Sequence, residues 1–234
     1  MVDAADTPAL AVLTRAPSSG GKTRLFRALG IPPDPDLLTA MLLDTLDGVA
    51  APGLRRLVAV TPASACGELR TLVGDAEVIA QPDGDLGMRM RETMAALFAR
   101  GAPAVALIGS DLPHIPATVI AEACSRVTAD PDGLVLGPAS DGGYYLIAAG
   151  RVPDVFTGIT WGSAEVLAQT AQAAVADGLR VSYLPTMSDV DTPDDLHAAA
   201  RSGRARRTAA WWRTRAARLQ VAAPPGRKVD SKVD

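Results

Sequence analysis

The chain has 234 residues and a mass of 24.1 kDa, the span of one large domain. Its 48% hydrophobic fraction and mean hydropathy of +0.15 suffice for a sizeable core and exclude a disordered or low-complexity chain. The net charge of −3 conceals a split: residues 1–200 carry 13 basic against 24 acidic side chains, or −11, whereas residues 201–234 carry 10 against 2, or +8.

An acidic body argues against nucleic-acid binding, which needs clustered cations, and three each of Phe, Tyr and Trp are too few for a platform that stacks bases. Cys66 and Cys124 fall in segments of helical pattern with no metal-ligand spacing, as expected of buried thiols in a reducing compartment. The opening MVDAADTPAL has acids where a signal peptide needs positive charge, and no apolar run approaches the ~18 residues that span a bilayer. A soluble, cytoplasmic protein is expected.

Apolar runs of strand length recur at residues 9–13, 57–60, 78–80, 104–108, 134–136, 144–148 and 181–184. Between them the spacing predicts helices, first over 38–49 behind the cap signal Asp34-Pro35-Asp36, then over 86–99, 117–127 and 164–176. Continuously apolar strands alternating with helices define an α/β class, a single three-layer α/β/α domain with a mostly parallel sheet. The short link 137–143 leaves no room for a helical crossover, so it predicts one antiparallel pair and a mixed sheet. In open α/β sheets, ligands bind beyond the carboxyl ends of the strands, which directs attention to the loops there.

The first such loop, residues 15–25, reads RAPSSGGKTRL. Its glycines admit a phosphate close to backbone amides, and Arg15, Lys22 and Arg24 add three cations, a combination suited to a triphosphate. A mobile surface turn is the plain alternative. A P-loop is disfavoured because position 16 is Ala16 rather than glycine, and because Gly30-Ile31-Pro32-Pro33 halts the chain where a P-loop helix continues. After the fourth strand, Gly109-Ser110-Asp111-Leu112-Pro113 places Asp111 at a strand tip, as a Mg²⁺ ligand or as a helix cap. In Asp189-Val190-Asp191, extended alternation sends both carboxylates to one side, where they repel unless a cation joins them, while Thr192 to Asp195 open a helix. His114 and His197 suit a turn and an exposed helix face. Two glycine-rich segments, 137–144 and 160–163, offer amides at Gly142, Gly143, Gly162 and Ser163 to an acceptor, or form a tight hairpin and a Ser163 helix cap.

Together, the loop ending in KTRL, QPDGDLGMRM at 81–90, GSDLP, GPASDGGYYLI, TWGS and DVDTPDDL resemble, in order and spacing, the GT-A-like nucleotide-diphospho-sugar transferase superfamily. The likeness is to its glycosyltransferase-like and cofactor guanylyltransferase-like members, similar to 2-phospho-lactate guanylyltransferase and more distantly to the molybdenum cofactor enzyme. It spans residues 9–200. It implies a nucleotide held by Leu13, Arg15, Gly21, Lys22, Gln81, Gly84, Gly87 and Gly109, with Lys22, Arg24 and Asp111 catalytic. It further implies Mg²⁺ or Mn²⁺ on Asp111, Asp189 and Asp191, and an acceptor cradled by Gly143, Tyr144, Thr160, Gly162 and Ser163. Tyr144-Tyr145 stands where the phospho-lactate enzymes carry a smaller polar residue. The reaction implied is metal-dependent transfer of a nucleoside monophosphate from an NTP to a small phosphorylated or anionic acceptor, with release of pyrophosphate. Glycosyl transfer from a nucleotide sugar is the alternative, and a nucleotide sensor the non-enzymatic one. Residues 201–234 lie outside the likeness and read as a separate basic extension. Within it, 204–219, with Trp211 and Trp212, forms a basic helix that docks on the acidic body or meets a partner or a membrane surface, before Pro224-Pro225 ends it in a frayed tail.

Overall fold

The computed structural model describes residues 7–219. Seven strands form one sheet in the order β3-β2-β1-β4-β6-β5-β7. These are β1 (Ala9–Arg15), β2 (Arg55–Thr61), β3 (Glu77–Ala80), β4 (Val105–Gly109), β5 (Gly133–Pro138), β6 (Tyr144–Ala149) and β7 (Arg180–Tyr183). Only β6 runs against its neighbours, pairing antiparallel with β4 and β5, while the remaining pairs are parallel. The mixed, mostly parallel α/β sheet expected from the short link 137–143 is therefore present. All seven apolar runs became strands, with ends moved by a residue or two.

Continuous burial of β1 and β4 follows from helices on both faces. Successive residues serve opposite cores: Leu10, Val12, Ala106 and Ile108 face one, and Ala9, Ala11, Val105 and Leu107 the other. The first core is closed by α2 (Pro35–Gly48), α3 (Cys66–Leu72) and α5 (Ala117–Ala129), and the second by α4 (Leu86–Ala99) and α6 (Val166–Ala176). Local chemistry sets the helix starts. Asp34 accepts from the Asp36 N–H with Pro35 in the first turn of α2, and Asp85 accepts from the Met88 N–H to open α4. Ser163 does not cap α6; its hydroxyl accepts from the Glu165 N–H, and the helix begins two residues later than the pattern suggested.

A third cluster joins α1 (Thr23–Leu29), α2, α7 (Pro193–Arg201) and α8 (Arg206–Leu219) through Phe26, Met41, Leu196 and Trp211. The basic helix thus lies on the acidic body. The buried Asp44 of α2 accepts from the Arg207 and Thr208 backbone N–H groups at 3.1 and 2.8 Å, capping α8 from another helix. Asp34 receives the Trp211 indole N–H at 3.0 Å and pairs with Arg215 at 3.1 Å. His197, exposed as its helix position suggested, lies against Trp212 with ring centres 5.7 Å apart. The break at Pro224-Pro225 lies outside the described residues. Among them, no helix is long and apolar enough to cross a membrane.

Candidate functional site

At the carboxyl end of β1 the chain makes a 3₁₀ turn over Pro17–Ser19 and then passes through three consecutive residues of positive φ, Gly20 at 68°, Gly21 at 147° and Lys22 at 46°. Left-handed backbone costs a lysine about 1–2 kcal/mol, so side-chain contacts must hold it there. They do: the Lys22 ammonium donates to Asp191 Oδ1 at 2.5 Å and lies 2.7 Å from Asp111 Oδ2 and 3.7 Å from Asp189 Oδ2. The helix that follows, α1, has only 7 residues, in keeping with the argument against a P-loop.

The three aspartates arrive from two loops, one after β4 and one before α7. Asp111 follows β4, and its carbonyl accepts from the Val190 N–H at 3.0 Å, stitching that loop to the 189–191 segment. Val190 is fully buried, so alternation turns Asp189 and Asp191 the other way, toward Lys22. Thr192 and Asp195 form the capping box of α7, which leaves both carboxylates out of the cap. The Ser110 carbonyl accepts from the Thr45 hydroxyl of α2, fixing the loop that carries Asp111.

Burial by itself would lower the Lys22 pKa, but the charges and hydrogen bonds of Asp111 and Asp191 prevail and hold the ammonium well above its ordinary value. Asp189 is pushed up by burial, against the pull of Lys22, and the Asp191 and Asp111 carboxylates raise it further. Among the described residues, no three His, Cys, Asp or Glu side chains stand ready as a metal cage. The carboxylates instead converge on an ammonium. Carboxylate oxygens are the donor type that Mg²⁺ and Mn²⁺ prefer, but here Lys22 fills the position that such a cation would take.

Two cavities meet at this cluster, sharing Leu13, Leu86, Gly109 and Asp111. The smaller, about 310 Å³, is lined by Arg15, Gly21, Lys22, Thr61, Gln81 and Arg89 among others. The larger, about 600 Å³, takes in Arg24, Gly143, Tyr144, Trp161, Gly162, Ser163 and Asp189. Most candidate residues from the sequence therefore come together around one centre.

Several occupy places that the motifs did not suggest. Arg24 lines the larger cavity rather than the one beside Arg15 and Lys22. Gln81 is committed to the scaffold: its amide donates to the Thr14 and Ala59 carbonyls at 2.9 and 2.7 Å and accepts from Arg89 at 3.2 Å. Gly84 and Gly87 line neither cavity. A Cβ at Gly87 would stand 2.6 Å from the Phe156 carbonyl oxygen and 2.9 Å from the Trp161 ring, so this glycine lets the indole lie against α4. The Thr160 N–H donates to Gln169 at 2.8 Å, and its side chain lines neither cavity. The hairpin alternative for 137–144 also holds, since the Ala139 N–H donates to Gly143 O at 2.9 Å. Arg89 and Trp161 were missed as site residues. Arg89 lies two turns or less beyond the β3 loop on α4, a position that could have marked it; nothing in the sequence links Trp161 to Gly87.

The fold is that of a class, the nucleotide-diphospho-sugar transferases. A solved structure from Desulfovibrio desulfuricans G20, provisionally assigned to that class, superposes with a TM-score of 0.81 at 30% identity, covering 92% of this chain and 97% of the other. Curated relatives named phosphoenolpyruvate guanylyltransferase come from Mycobacterium ulcerans (strain Agy99), 30% identical over 79% of this chain and 83% of theirs, and from Salinispora arenicola (strain CNS-205), 31% identical over 80% and 86%. The chain is a transferase, with nucleotidyl transfer favoured. It belongs to the family described as "Uncharacterized protein conserved in bacteria (DUF2064)", whose pattern matches residues 45–163.

Proposed function

We propose that the chain transfers a nucleoside monophosphate from an NTP to a small phosphorylated or anionic acceptor and releases pyrophosphate. The observation that carries this reading is Lys22: a single ammonium caged by three carboxylates at the seam of two cavities, with Arg15 and Arg89 on the smaller one. Three cations around about 310 Å³ suit a triphosphate better than the diphosphate of a nucleotide sugar. The relatives' names point to GTP as the first donor to test.

In this reading the NTP lies in the smaller cavity, where Arg15, Lys22 and Arg89 neutralise its β- and γ-phosphates. The acceptor lies in the larger one. An acceptor phosphate oxygen attacks the α-phosphorus, the bond from that phosphorus to the bridging oxygen breaks, and pyrophosphate leaves with the electron pair. The deprotonated nucleophile needs no protein base, so rate comes from alignment and charge neutralisation. Asp111, Asp189 and Asp191 would hold Mg²⁺ or Mn²⁺, which supplies Lewis-acid neutralisation of phosphate oxygens when bound. Residues 1–200 would form the transferase unit, buttressed by α8.

Melting curves with the four NTPs and common nucleotide sugars, each with Mg²⁺, test the donor, because a ligand selective for the folded state raises the melting temperature. An NTP should give the largest rise and lose it in Arg89→Ala. A larger rise with a nucleotide sugar would favour glycosyl transfer instead.

A further inference from the structure

The larger cavity differs in chemistry from the smaller. One part of its lining is apolar and aromatic, formed by Leu86, Met90, Tyr144, Ile147, Trp161 and Val166. Among its lining residues Arg24 is the one cation, set against three carboxylates, Asp111, Asp141 and Asp189. At about 600 Å³ it lies in the range that encloses a drug-sized ligand.

The aromatic wall is built into the fold. Trp161 meets Tyr144 edge to face, with ring centres 6.5 Å apart and planes at 74°. Gly87 leaves the room in which the indole reaches α4. Gly142, at φ +91°, brings the hairpin onto the turn that carries Trp161, where a Cβ would stand 2.2 Å from the Ala164 carbonyl oxygen; its own carbonyl accepts from the Leu167 N–H at 3.0 Å. Burial raises the Tyr144 phenol above its ordinary pKa, and its neutral hydroxyl is directed at Met90 Sδ, 4.0 Å away, which leaves the ring to form the wall.

A compact polyanion fits this cavity poorly. Phosphoenolpyruvate brings a carboxylate and a phosphate on a three-carbon skeleton; Arg24 is the one cation on the lining, Asp141 stays a carboxylate outside the proposed metal set, and the aromatic wall stays uncovered. We infer that the acceptor is a molecule with one phosphate on an apolar, ring-bearing body, its ring against Trp161 and Tyr144 and its phosphate toward Arg24 and the aspartate seam. This rests on the larger cavity being the acceptor side of the proposed nucleotidyl transfer.

Isothermal titration of the full chain with 1-naphthyl phosphate and, separately, phosphoenolpyruvate tests it, first without nucleotide and then with Mg²⁺ and an α,β-methylene GTP analogue. The naphthyl ester should bind at least tenfold more tightly. Trp161→Ala should remove that preference and Trp161→Phe keep most of it, with binding of the GTP analogue retained in both variants as the check on folding. Equal or tighter binding of phosphoenolpyruvate, no binding of either probe, or a preference that survives Trp161→Ala overturns the inference. Loss of GTP-analogue binding by the unmodified chain would instead count against the nucleotide reading, which the titrations without nucleotide do not share.

Discussion

Replacing Lys22 by Met isolates the charge at the centre of the site, because the length of the side chain and the left-handed backbone at φ 46° stay much the same. The ammonium is only 11% exposed and its three partners 29–44%. Breaking a fully buried pair costs about 3–5 kcal/mol and an exposed one about 0–1, so this half-screened cluster should lose about 2 kcal/mol. For a domain of this size that corresponds to a fall of about 4–8 °C in melting temperature. The carboxylates of the variant then face one another with no cation between them, and Mg²⁺ should restore the loss. In the unmodified chain Mg²⁺ must first displace the ammonium, so it should raise melting less. Thermal melts of both proteins in chelator and across a Mg²⁺ series measure the difference. An unchanged melting temperature for Lys22→Met, or equal Mg²⁺ stabilisation of both proteins, would refute the view that Lys22 occupies the cation position.

Gly87→Ala drives a methyl into the Phe156 carbonyl and the Trp161 ring; it should cost about 1–3 kcal/mol by chemical denaturation and shift the Trp161 fluorescence, whereas an unshifted spectrum would deny the contact. Asp44→Ala strips the cap from α8 and should cost about 2 kcal/mol, with new protease cleavage between α7 and α8 as the readout. Burial pushes the Cys124 thiol up to about 11 by disfavouring the thiolate. At pH 8 iodoacetamide should therefore label the half-buried Cys66 and spare Cys124 until the chain unfolds, as peptide mass mapping would show.

Strands such as β1 and β4 were legible because burial on both faces requires continuous apolar runs, a pattern that helices do not share. The Asp189–Asp191 pair was legible because alternation around Val190 is a local rule. What Lys22 touches was not, since its aspartates come from loops after β4 and before α7, joined only in the folded sheet. In the sequence, Arg15, Lys22 and Arg24 look equivalent. The run of positive φ and the short α1 send Arg24 to a different cavity. The resemblance implied a nucleotide contact for Gly87, whereas in the fold its neighbour is an indole on a distant turn. The docking of α8 was foreshadowed by its charge, but the buried Asp44 that caps it sits in the middle of α2, where no terminal signal marks it.

The central claim, nucleotidyl rather than glycosyl transfer, is tested most directly with GTP labelled at the α-phosphate, incubated with the protein, Mg²⁺, common nucleotide sugars and a mixture of small phosphorylated metabolites. Label should move to a new product in equal amount with pyrophosphate released, and both should vanish in Asp111→Asn. Label left in GTP while a nucleotide sugar is consumed to nucleoside diphosphate without pyrophosphate would contradict it.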